Sequence, residues 1–101
     1  NPHPLLAIEE PENQLYPELL PELVEEFRDY ARRGGQVFVS THSPEFVNNA
    51  QLGEIYWLIK QGGYSTVRRA SESELLRNLV QEGERPGWLW KQGLFEGAGL
   101  R

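Results

Sequence analysis

Residues 5–12, Leu-Leu-Ala-Ile-Glu-Glu-Pro-Glu, leave the backbone few choices. Four consecutive apolar residues read as a buried strand of a parallel sheet. Pro11 has no N–H for a strand ladder and closes the run. Glu9 and Glu10 are therefore predicted at the carboxyl end of a strand, where open α/β sheets bind ligands. Carboxylates held there suit a hydrated Mg²⁺ and the activation of a water molecule. Side chains alternate along a strand, so the two acids are expected to diverge.

A helix is predicted over residues 18–33. Leu19, Leu20, Leu23, Val24, Phe27, Tyr30 and Ala31 fall on one helical face. Pro21 fits only the first turn. Glu18, Glu22, Glu25 and Glu26 suit the N-terminal half of the helix dipole, Arg28, Arg32 and Arg33 the C-terminal half. Gly34-Gly35 ends it. The run Gln36-Val37-Phe38-Val39-Ser40 then reads as a second buried strand. Strand, helix and strand make a parallel βαβ unit. Parallel neighbours share a carboxyl edge, so His42 is predicted on the same rim as Glu9 and Glu10. Ser43-Pro44 reads as the N-cap and first position of a short helix over residues 44–50.

Residues 54–60 read as a strand, Gln61-Gly62-Gly63 as a turn and residues 64–69 as the returning strand of a hairpin. Ser71 with Glu74 has the spacing of a capping box, ahead of a helix carrying Leu75, Leu76, Leu79 and Val80. Residues 83–87 are predicted as a loop. The tail from Trp88 is aromatic and broken by glycine; it either packs on its own domain or serves as a docking segment. Asn1-Pro2-His3-Pro4 reads as an extended lead-in. The expected organisation is a βαβ unit over residues 1–50, a hairpin and helix over 51–82 and an aromatic tail over 83–101.

Composition narrows the function. The chain has 101 residues, enough for one small domain, and no cysteine, so neither a disulfide framework nor a cysteine zinc site is expected. No apolar run reaches the length of a membrane span and no signal-peptide core is visible, so a soluble cytoplasmic protein is expected. Net charge is −5, and seven glutamates precede Arg28, the first Lys or Arg. Such a surface repels a polyanion unless a cation stands between them.

Two stretches carry a resemblance. Residues 5–12 resemble the Walker B strand of ATP-binding-cassette-type ATPases of the AAA family, and Asn13 to Pro17 sit where that family has its D-loop. Ser40-Thr41-His42-Ser43-Pro44 resembles the switch-histidine loop. The wording is similar to the non-transporter branch, with its RecF-like, chromosome-maintenance (SMC)-like and overcoming-lysogenization-defect-like ATPases, many of them in DNA repair or phage defence. The resemblance implies that Glu9 holds Mg²⁺ through water, although Asp is usual there. It implies that Glu10 is the general base for ATP hydrolysis and that His42 contacts the γ-phosphate. Asn13 and Gln14 would face a second cassette in a homodimer. A nuclease or DNA would be met through the full-length protein.

The departures set the expected architecture. No Gly-x-x-x-x-Gly-Lys-Ser/Thr and no Leu-Ser-Gly-Gly-like signature occurs in the sequence. In the family both precede Walker B. The expectation is an α/β chain, part of a P-loop NTPase three-layer fold with its front lobe absent. It would be the C-terminal lobe of a cassette, inactive without the Walker A half. A two-carboxylate hydrolase is disfavoured, because adjacent strand residues point to opposite faces and cannot flank one bond as glycosidase acids do. The alternative is a non-catalytic interaction or dimerisation domain derived from such an ATPase.

Overall fold

The computed structural model describes residues 5–95, with the side chains of Gln14 and Gln61 left out. The lead-in at residues 1–4 and the end of the tail, residues 96–101, lie outside this range. The described residues form a mixed α/β structure with two small sheets. Strands β1 (Leu5–Glu9) and β2 (Gln36–Ser40) pair in parallel, with Leu5 opposite Gln36 and Glu9 opposite Ser40. Helix α1 (Leu20–Arg32) makes the crossover, entered through 3-10 turns at Pro11–Gln14 and Pro17–Leu19. The helix starts two residues later than predicted, because Pro17 and Pro21 hold the entry in a tighter turn.

One face of the parallel pair meets α1, where Val39 packs on Leu20, Val24 and Phe46 with Leu23 and Phe27 around them. The opposite face differs from the buried strand predicted. Leu5 is 55% exposed and Phe38 63%, and Ala7 and Glu9 on the same side are exposed too. Among the described residues α1 and Phe46 pack on the other face, so an apolar run predicted to be buried is solvated on this side.

Helix α2 (Pro44–Val47) is shorter than predicted. Ser43 caps it as expected, its Oγ accepting the Phe46 N–H at 3.2 Å. Neighbouring residues of α2 enter different cores: Phe46 joins the α1 cluster, and Val47 joins a second cluster with Ile55, Ala70, Leu76, Leu89 and Phe95. The short helix thus pins the end of β2 between two packed regions.

Strands β3 (Tyr56–Gln61) and β4 (Tyr64–Arg69) form an antiparallel hairpin beside the second cluster, which Ile55 and Ala70 join from the two chain ends of the hairpin and Trp57 packs against. Gly62 and Gly63 at the turn both have positive φ, 52° and 95°, the requirement of a two-residue type I′ turn. Helix α3 (Glu74–Gln81) follows a 3-10 turn at Ala70–Glu72. Its cap is Ser73, whose Oγ accepts the Leu76 N–H at 3.2 Å, rather than Ser71. Ser71 is taken up in the 3-10 turn that buries Ala70. Helix α4 (Pro86–Lys91) occupies part of the stretch predicted as a loop. Pro86 supplies its first position, and Gly87 is buried against α2.

The described part of the tail packs on its own domain. Leu89 is 1% exposed, Phe95 3%, and the Phe95 ring stacks on Trp57 with centroids 4.8 Å apart. No helix among the described residues is long and apolar enough to cross a membrane.

Candidate functional site

The parallel register carries β1 and β2 to a common carboxyl edge, and the backbone there departs from a simple strand end. Glu10 donates its N–H to the Ser40 carbonyl at 2.7 Å, one ladder bond beyond β1. It then adopts a left-handed conformation, φ 49° and ψ 54°, in the described chain a feature of Glu10 alone among non-glycine residues. The residue before a proline is pushed out of the right-handed helical region. Pro11 opens a 3-10 turn at once, and the Asn13 N–H closes on the Glu10 carbonyl at 3.1 Å. A left-handed non-glycine residue costs roughly 1–2 kcal/mol. The strand alternation predicted for Glu9 and Glu10 therefore ends at Glu9.

The turn brings Glu10 to His42, 32 positions away. Glu10 Oε1 accepts the His42 backbone N–H at 2.8 Å, and His42 Nδ1 lies 3.4 Å from the same oxygen. The imidazole is otherwise open, with 84% of the side chain exposed. Glu9 ends β1 opposite Ser40, on the exposed face with Leu5, Ala7 and Phe38. Asn13 is exposed on the following turn, and the backbone of Gln14 completes that turn.

Two further residues join this edge that sequence reasoning assigned no role. Thr41 Oγ1 donates to Glu12 Oε2 at 3.0 Å and accepts the Ser43 N–H at 3.0 Å. Glu12 Oε1 is shielded from solvent and has no hydrogen-bond partner. The parallel register sets Glu9 opposite Ser40 and does not by itself pair Glu12 with Thr41; the turn after left-handed Glu10 does, and no sequence signal marked it.

The arrangement is an open rim. Two shallow depressions flank α1, one lined by Leu15, Leu19 and Leu23, the other by Leu20, Asn48 and Arg85. Neither includes Glu9, Glu10 or His42. No three His, Asp or Glu side chains among the described residues stand close enough to cage a metal. Mg²⁺ on a nucleotide needs no such cage, because it keeps waters and takes one or two carboxylates beside the phosphates. The exposed Glu9 carboxylate fits that demand.

The sequence model of one family, described as "AAA domain, putative AbiEii toxin, Type IV TA system", matches residues 1–48. The match spans β1, α1, β2 and α2, the elements that build this rim. No curated protein and no solved structure gave a significant match. At family level the match supports a relation to AAA-type ATPases, with a P-loop NTPase type of fold and general use of ATP and Mg²⁺.

Proposed function

We propose that the edge formed by Glu9, Glu10 and His42 is the hydrolytic side of an ATP-binding cassette of the RecF-like and SMC-like kind. The reading rests chiefly on one observation. Glu10 and His42, from the carboxyl ends of the two strands of a βαβ unit, meet through the 2.8 Å bond between Oε1 and the His42 N–H. In this reading Glu9 holds the nucleotide's Mg²⁺, which would offset phosphate charge. Glu10 orients and deprotonates the attacking water. The exposed His42 ring donates to the terminal phosphate. Asn13 and Gln14 face a second cassette, and hydrolysis is coupled to opening of the dimer, in DNA repair or phage defence.

The phosphate cradle comes from elsewhere, because the sequence carries no Gly-x-x-x-x-Gly-Lys-Ser/Thr. The rest of the cassette is the natural cover for the exposed face of Leu5, Ala7 and Phe38. Phosphate release measured with and without a Walker A-bearing half tests the reading. Turnover is expected only with both parts, and calorimetry on residues 1–101 alone should find at most weak Mg²⁺–ATP binding. Micromolar ATP affinity for the chain by itself would overturn the division of labour.

A second reading, a non-catalytic interaction or dimerisation domain, is favoured by the same apolar face. It predicts assembly without ATP turnover, so the phosphate-release measurement separates the two.

A further inference from the structure

We propose that Glu12 is a positioning residue, which holds the loop carrying His42 against Glu10 through the hydroxyl of Thr41. The inference rests on the reading of Glu10 and His42 as a hydrolytic pair. The hydrogen bonds form one directed chain. The Ser43 N–H donates to Thr41 Oγ1, and the Thr41 hydroxyl donates to Glu12 Oε2, each at 3.0 Å. Between these residues the His42 N–H donates to Glu10 Oε1 at 2.8 Å. Successive donors along such a chain polarise one another, and a carboxylate acceptor gives a stronger bond than a neutral one.

Geometry makes the link to His42 direct. Thr41 and Ser43 flank His42, so fixing both leaves its backbone N–H little freedom to turn from Glu10. Ser43 is itself tied into α2 through its bond from Phe46. The remaining freedom lies on the Thr41 side, where Glu12 acts. Glu12 reaches this position because left-handed Glu10 and the 3-10 turn at Pro11–Gln14 fold it back towards β2. One of its oxygens is shielded without a partner, so the carboxylate is not simply solvated on the surface.

Amide hydrogen exchange on the 101-residue chain tests the loop without any assumption about ATP. Glu12→Ala and Thr41→Val should each speed exchange at His42 and Ser43 by about 10-fold or more, the worth of a hydrogen bond to a charged group. Exchange in α1 and α3 should not change. The double variant should be no faster than the faster single, and Thr41→Ser should restore protection. Glu12→Gln keeps an acceptor of the same shape, so it should fall between wild type and Glu12→Ala. Unchanged exchange at His42 and Ser43, or equal acceleration throughout the chain, would overturn the inference.

With the Walker A half present, Glu12→Ala should lower kcat while leaving the KM for ATP nearly unchanged. An active wild type with an unaffected Glu12→Ala variant would also overturn it. A wild type that never turns over ATP would instead sink the functional reading, while the exchange results judge the loop separately.

Discussion

Glu54 receives Arg28 on both carboxylate oxygens, Nη2 on Oε1 at 2.7 Å and Nε on Oε2 at 2.9 Å. The pair ties α1 to the 3-10 turn at Leu52–Glu54, and Arg28 also donates to the Asn49 carbonyl at 3.0 Å. The hydrogen bond from Arg28 is the main cause that holds the Glu54 carboxyl below the usual glutamate range, with partial burial opposing it. A carboxyl lowered on folding contributes stability at neutral pH and loses it as pH falls through the lowered value. Glu54→Gln should therefore be less stable near pH 7 and show a flatter acid limb. Denaturant midpoints across a pH series check this, and an acid limb parallel to wild type would assign the loss to other carboxylates.

Two neighbours in α4 should respond unequally to truncation. Leu89 is 1% exposed in the second cluster, so Leu89→Ala should cost about 2–5 kcal/mol. Trp88 is 48% exposed, and Trp88→Ala should cost far less. Equilibrium unfolding of both decides it; equal losses would mean that α4 packs differently.

Gly87 sits where α4 crosses α2, and a Cβ there would fall inside the Pro44 carbonyl. Backbone cannot yield as a flexible side chain does. Gly87→Ala should destabilise by roughly 1–3 kcal/mol or more, the range of an overpacked contact. Thermal melting measures it, and a neutral result would show that the two helices can part without loss.

The acids at the rim should separate in a complete cassette. Glu10→Gln keeps an oxygen that can accept the His42 N–H but loses the base. ATP binding should survive while turnover falls by roughly 10²–10⁴-fold. Glu9→Gln removes charge from the proposed Mg²⁺ contact and should weaken nucleotide binding itself. His42→Ala should slow turnover through loss of a phosphate donor. Nucleotide binding and phosphate release measured side by side distinguish the three, and near-normal turnover in Glu10→Gln would place the base elsewhere.

Much of this could be read from the chain because its signals are local. The apolar run before Glu9, the amphipathic spacing from Leu19 to Ala31 and the Gly62-Gly63 turn each fix an element by backbone preference. Parallel pairing then followed from the strand–helix–strand order, and with it the approach of His42 to Glu10. What escaped depended on tertiary surroundings. Exposure of Leu5 and Phe38 reflects which layers cover a strand, something its own residues do not encode. The cap at Ser73 rather than Ser71 was decided by burial of Ala70. The left-handed turn at Glu10 arises where a last ladder bond meets an immediate proline turn. The Glu12–Thr41 bond follows from that turn and could not be seen without it.

The backbone at Glu10 has an evolutionary consequence. Glycine or asparagine would relax a left-handed position, yet neither carries a carboxylate. A variant library sorted only for resistance to denaturant should drift away from glutamate here. The same library sorted for ATP turnover should hold it, so position 10 is where selection for durability and selection for chemistry pull apart.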